Sequence, residues 1–406
     1  MAAATPARSR RATARLILIL GSLSAFAPLS IDMYLPALPA LSADLHGSAS
    51  EIQLTLTACF VGLALGQIVA GPLSDAYGRR RPMLVGLGAF AVASLLCAAS
   101  PNVATLIALR FVQGAAGAAG IVISRAVVRD LFEGTELARF YALTLLVNGA
   151  APIVAPIVGG LILLFTTWHG TFVLLAAIGI VVFLAVAFGL EETLPPAARR
   201  RGGVAGTVRT FREVAADRTF VGYALAGGLA MAAMFAYIAG SPFVVETIYG
   251  QSPQVFSLIF GTNALGIVVA GQLSATLVER VGPRRLVVAG LAASGAGAVV
   301  LLGAVVAGIG LAGILPGFFL VTASIGLVLP NATALALADH GQRAGSASAL
   351  LGAFQYVIGA LVAPLVGIAG TGTALPMAIL IAILSLGAST AYVALARAGR
   401  GVPAPP

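Results

Sequence analysis

The sequence predicts an all-α membrane protein, with twelve transmembrane helices in two pseudo-symmetric six-helix bundles around a central cavity. Three observations carry that expectation. The chain has 406 residues, 59% of them hydrophobic and 9% charged, whereas soluble domains carry about 25% charged residues; its mean hydropathy is +1.03. Its apolar runs reach about 20 residues, enough for a helix to cross a bilayer, and lack the alternating units of about ten residues found in a membrane barrel. Apart from Arg110 and Arg125, inside the fourth run, its arginines fall between or at the edges of those runs and on alternate sides only.

The spans read as 16–38, 52–74, 83–100, 103–127, 139–165, 171–190, 220–245, 255–278, 286–307, 311–334, 345–368 and 374–396. All 23 basic residues are arginine. Apart from Arg110 and Arg125 within the fourth span, they precede the first span, follow the even-numbered ones and end the chain, while the opposite loops ("PALSADLHGSASE", "SPN", "TTWHG", "TIYGQSPQ", "GTGTA") hold none. Under the positive-inside rule both termini face the cytoplasm of a multi-pass protein in the cell (inner) membrane. "RSRR" before an apolar run ending in "AFA" mimics a signal peptide. Pro28 and a run continuing to residue 38 favour an uncleaved first span.

The polar stretch 191–219 divides the chain into an N-terminal bundle, 1–190, and a C-terminal bundle, 220–406. The halves echo each other. Asp75 and Gly78 align with Glu279 and Gly282, and "APIVG" (155–159) aligns with "APLVG" (363–367). Duplicated halves about a midplane site are a transporter plan.

Within the spans Asp32, in "LSIDMYLPALP", is the residue most in need of a reason. A carboxylate deep in a bilayer costs about 2.5–3.5 kcal/mol on insertion scales. At 1.5 Å per residue it lies about 9 Å from the arginine-poor end of its span, and Arg110 lies about 10 Å from the same end of the fourth. An acid and a base at one depth mark either a proton or substrate pathway or a structural ion pair. Tyr34, Gln113, Asn148, Phe235, Tyr237, Asn263, Gln355 and Tyr356 are candidate cavity residues, with interhelical hydrogen bonding or packing as the competing role for each. Trp168 with His169 reads as an interfacial anchor, and Glu246 as a solvated residue at the arginine-poor mouth of the seventh span.

"GPLSDAYGRRR" (71–81) resembles the loop 2–3 signature of the major facilitator superfamily, G-x-x-x-D-x-x-G-R-[KR], at Gly71, Asp75, Gly78, Arg79 and Arg80. The resemblance implies a latch between the halves in the outward-facing state, with Asp130 as its ionic partner. "RFVQG" (110–114) resembles the helix 4 signature, R-x-x-Q-G. Pro152, Pro156, Gly159 and Gly160 resemble the antiporter motif of helix 5, with Ala155 where the family has glycine. "IDMYLPALP", "RAVVRD" (125–130) and "EETLPP" (191–196) resemble the Bcr/CflA group of drug exporters. Ser24 occupies the position where some wider relatives place a second acid.

The resemblance implies a proton-coupled antiporter that exports small amphipathic drugs or metabolites by alternating access, with Asp32 and Arg110 coupling protons. The scarcity of intramembrane acids favours neutral or zwitterionic cargo. The alternative is an importer or facilitator of a small metabolite, because the helix 2 and helix 4 signatures occur across the superfamily. The partners expected are a small-molecule substrate, protons and the lipid bilayer, with the chain acting as a monomer. Neither a cofactor nor a metal is expected, and nucleic acid is not a partner despite the net charge of +9. Enzyme chemistry is not expected either. The three histidines lie in loops, the two cysteines fall inside spans, and without lysine no nucleotide-binding G-x-x-x-x-G-K-[ST] loop exists. "GIGLAG" (308–313) spells a dinucleotide motif but follows no strand.

Overall fold

The computed structural model describes residues 10–132, 134–199, 213–338, 344–368, 370 and 372–396, and all regular structure among them is helical. Of the expected connecting stretch 191–219, residues 200–212 lie outside the described residues. Ten described helices are long and apolar enough to cross a membrane. A bent pair at the start makes an eleventh span, and at the place of the twelfth expected the helix Gly134–Ile162 contains a shorter apolar stretch, Gly149–Ile162.

Proline spacing shapes the first span, which is broken rather than continuous over 16–38. Its pieces are α1 (Arg10–Ser24), α2 (Phe26–Asp32), a 3-10 turn at Leu35–Ala37, and α3 (Leu38–Asp44). A proline has no N–H to give the carbonyl four residues earlier. Pro28 therefore frees Ser24, where α1 ends, and Pro36 frees Asp32, where α2 ends. The chain bends by 48° between Leu18–Ser24 and Pro28–Asp44.

The rest of the N-terminal half comprises α4 (Ala49–Tyr77), α5 (Arg80–Ala98), α6 (Val103–Leu131), α7 (Gly134–Ile162) and α8 (Trp168–Gly189). Capping moves the start of α4 three residues ahead of the expected 52. Ser48 Oγ accepts from the Glu51 N–H while Glu51 accepts from the Ser48 N–H, a capping box. The C-terminal half comprises α9 (Arg218–Pro242), α10 (Pro253–Val281), α11 (Pro283–Val306), α12 (Leu311–Leu337), α13 (Ala344–Gly367) and α14 (Leu375–Ala391). Pro242 ends α9, and a π-helical turn, Phe243–Ile248, continues it.

The halves repeat one packing plan. α4 lies on α6 and α5 on α8, as α10 lies on α12 and α11 on α14. The echo between Gly78 and Gly282 extends to the backbone. Gly78 ends α4 at φ 92°, ψ 165°, and Gly282 ends α10 at φ 84°, ψ 148°, both in a region that favours glycine. Between halves α4 packs on α13, α7 on α10, and the 3-10 turn of the first span touches α9 and α10.

Gly159 of α7 abuts the break in the first span, where a Cβ would collide with the Met33 carbonyl oxygen. Gly159→Ala is expected to lower stability by about 1–3 kcal/mol through overpacking, read as a fall in thermal midpoint in detergent. Gly295→Ala, whose Cβ would enter open space, should leave the midpoint unchanged or slightly raised.

Candidate functional site

Asp32 sits at the C-terminal end of α2, 6% exposed. Among the described residues no side chain or N–H hydrogen-bonds its carboxylate. A charge on Asp32 is felt at Tyr237 of the other half. Tyr237 is buried in α9, accepts a hydrogen bond from Asn263 Nδ2 at 2.8 Å, and stacks against Phe260.

Arg110 is fully buried and does not pair with Asp32. Arg79, not Arg110, forms ion pairs, with Asp75 and Asp130. Instead Arg110 Nη2 donates to Ser30 O at 3.0 Å, Nη1 donates to Gln113 Oε1, and Gln113 Nε2 donates to Ser94 Oγ. The guanidinium lies 4.8 Å from the Tyr34 ring and 5.7 Å from the Phe172 ring, at cation–π range. The two charges are thus near in level, but Arg110 reaches the backbone of the helix that carries Asp32, not its carboxylate. Ser30 lies in the last turn of α2, where carbonyls lack helical donors and cations are favoured by the helix dipole. Arg110 acts there as a C-terminal cap.

The other cavity candidates separate. Tyr34 and Gln113 belong to the wall around Arg110, with Tyr34 Oη also bonded to Thr55 Oγ1 at 3.0 Å. Phe235 is buried edge-on against Phe60 of the opposite half at 4.6 Å. Gln355 is half-buried. The side chains of Asn148 and Tyr356 lie outside the described residues. Pro152 and Pro156 both fall inside α7; Gly159 meets Met33 as described, and Gly160 meets Ser257 of α10. Two expectations are corrected. Trp168 is 1% exposed and donates from Nε1 to Asp44 Oδ2 at 2.8 Å, so it packs inside the protein instead of anchoring at the lipid interface. Glu246 is half-buried in the π-helical turn, and its Oε1 has no partner among the described residues.

On the arginine-rich side, the loop after α4 forms one ionic cluster within the N-terminal half. Arg79 donates to Asp75, to Ser74 Oγ at 2.9 Å and to Asp130 Oδ2 at 2.9 Å. Ser74 Oγ in turn donates to Gly71 O, and Arg80 donates to Ala187 O. Sequence reasoning missed Glu192. Its carboxylate accepts the N–H groups of Arg79 at 2.7 Å, Arg80 at 3.2 Å and Leu194 at 3.0 Å. It therefore caps the N-terminus of α5, for which Arg79 supplies no side-chain cap. A Cβ at position 78 would strike this carboxylate, a second reason for glycine there. Neighbouring Thr193 donates to Asp130 Oδ2 at 3.0 Å. The acidic pair opening "EETLPP" was the available signal.

The profile of the Major Facilitator Superfamily matches residues 20–364. The chain belongs to the major facilitator superfamily. It is 44% identical over 388 residues to the uncharacterized MFS-type transporter YdgK of Bacillus subtilis, covering 94% of this chain and 95% of that protein. It is 32% identical to a bicyclomycin resistance protein homolog of Haemophilus influenzae, over 91% and 92% of the two chains. Multidrug resistance protein MdtL of Vibrio parahaemolyticus is 28% identical over the same shares. Solved folds agree: a bacterial homolog of the human lysosomal transporter Spinster superposes with a TM-score of 0.76 at 15% identity, over 98% of this chain and all of that one. A D-xylose–proton symporter superposes at 0.75 and 14%, over 97% and 100%. This major facilitator protein is a multi-pass transporter, and its family is one of carriers, not enzymes.

The Glu192 cap makes a pH-dependent contribution to stability. Burial pushes its carboxyl upward, but the N–H groups of Leu194, Arg79 and Arg80 and the charge of Arg199 together hold it below the ordinary value of 4.5. A carboxylate so lowered stabilises the fold above the ordinary value, and the contribution fades as pH falls through the lowered one. Glu192→Gln should lower stability by about 1 kcal/mol at pH 7, a value discounted for solvent exposure. The gap from the parent in thermal midpoint should narrow below about pH 4.5; a gap unchanged down to pH 3 would refute the charged cap.

Proposed function

We propose that this major facilitator protein is a proton-coupled antiporter that exports small amphipathic drugs or metabolites across the cell membrane. The observation that carries the reading is Asp32: a buried carboxyl at a helix break, with no hydrogen-bond partner among the described residues. A carboxyl held in that way exchanges a proton with little to rearrange. The relatives named for bicyclomycin and multidrug resistance support export. The arginine-rich face is read as cytoplasmic, and the bundles 1–190 and 220–406, joined by 191–219, rock about the level of Asp32, with the chain working as a monomer.

In the cycle, Asp32 takes a proton when open to the acidic side and releases it when open to the cytoplasm. Substrate and proton favour opposite states, so each lowers the other's affinity by the same factor, and the proton gradient drives export. Arg110 serves this coupling through Ser30, holding the end of α2 so that the carboxyl keeps its place as the helix break flexes. Buried aromatic rings and few charges suit neutral or zwitterionic cargo.

The test uses everted membrane vesicles with an acidified lumen and a pH-sensitive dye. Candidate compounds should alkalinise the lumen with the parent protein, and Asp32→Asn should lower that response at least tenfold at unchanged expression. Equal responses from the two proteins would remove Asp32 from coupling, and substrate leaving with protons would reverse the direction of transport.

A further inference from the structure

On the arginine-poor side four hydrogen bonds of one kind join the halves. Ser50, Gln53 and Thr57 lie on one face of α4, at the three- and four-residue spacings that align along a helix. Each donates from its side chain to a main-chain carbonyl of the other half. Ser50 Oγ reaches Pro364 O at 3.1 Å, Gln53 Nε2 reaches Ala239 O at 2.9 Å, and Thr57 Oγ1 reaches Ala360 O at 2.9 Å. From the other half, Gln254 Nε2 of α10 reaches Gly160 O of α7 at 2.8 Å.

The acceptors share a cause. Pro364, inside α13, has no N–H for the Ala360 carbonyl. Where α9 gives way to the π-helical turn, the Phe243 N–H bonds Gly240 O in place of Ala239 O. At the end of α7 the Leu164 N–H bonds Leu161 O in place of Gly160 O. Pro364 O lies in the last turn of α13, where carbonyls lack helical donors. Helix irregularities thus supply the acceptors, and polar side chains of the facing helix supply the donors.

Water has a foothold at the same seam. A cavity of about 20 Å³ lies between Gln53, Gly240, Phe243, Gly367 and Thr373, room for a single water. Gln53 Oε1, on a side chain 1% exposed, accepts no hydrogen bond among the described residues. Deeper in, Phe60 and Phe235 close the seam with apolar contact.

We propose that Ser50, Gln53, Thr57 and Gln254 form a water-exchangeable seal, in which side-chain donors serve carbonyls freed by proline kinks and helix ends, and water serves both partners when the seal opens. Each bond then biases the sealed state by only about two- to tenfold, the net worth of a hydrogen bond exchanged with water. The seal holds without locking. The inference stands apart from the direction of transport, from what is carried and from the role of Asp32.

Removing one donor while keeping its shape tests it. Thr57→Val leaves the Ala360 carbonyl unserved when sealed and hydrated when open, so the open population should rise about two- to tenfold. Spin labels would be placed at Phe165, 88% exposed, and at exposed Ala307, on the arginine-poor ends of the two halves. The native thiols Cys59 and Cys97 are buried, and the parent without added cysteines serves as the labelling control. Pulsed dipolar spectroscopy in lipid nanodiscs should show a longer-distance population growing in Thr57→Val. Thr57→Ser, which keeps the hydroxyl, should match the parent. Gln254→Leu at its half-buried site repeats the test if Thr57→Val does not fold. An unchanged distribution in the folded donor-less variants, or the same growth in Thr57→Ser, would overturn the proposal.

Discussion

Inside a bilayer no solvent rescues a backbone carbonyl that has lost its helical donor, and the architecture of this protein follows from that constraint. The chain interrupts its helices with prolines, and several carbonyls near helix breaks and helix ends are met by side chains from another helix. Arg110 meets Ser30 near the break that carries Asp32. Thr57 meets Ala360 below Pro364. Helix breaks and interhelical bonds are therefore two sides of one arrangement, within a half at Ser30 and between the halves at Ala360.

Arg110 shows how this constraint reshapes a charge. A buried guanidinium far from a carboxylate would be costly if left bare. Here it is surrounded by a carbonyl, an amide oxygen and two aromatic rings, so its charge is spread over many weak partners inside one half. Arg110 thus makes its contacts without an ion pair to Asp32. The ionic cluster of Arg79, Asp75 and Asp130 differs, since it lies at the arginine-rich membrane edge, where short charge-assisted bonds form readily.

Much of this was legible in the sequence, because hydropathy, arginine placement and proline spacing act locally. The spans, the halves and the pairing of Gly78 with Gly282 depend on little else. Depth along a helix was legible too, and it put Arg110 near the level of Asp32. Direction around the helix was not: six or seven residues from an end fixes height, while facing depends on packing against Tyr34, Phe172 and Ser94. Trp168 was misread for the same reason, since an aromatic near a span end looks interfacial until Asp44 of a distant segment is found beside it. Glu192 escaped notice because two of its three N–H partners lie 113 and 112 residues away, so the acidic pair of "EETLPP" does not itself reveal what it caps.

The seal between α4 and the other half has side chains on one side of each bond and main chain on the other. Mutational drift at Ala239, Ala360 or Gly160 leaves the acceptor oxygen in place, whereas drift at Gln53, Thr57 or Gln254 deletes a donor. Among descendants of this chain the donors would be held without any partner changing in step. Methods that infer contact from paired substitutions would pass over this seam, although it is where the two halves grip each other.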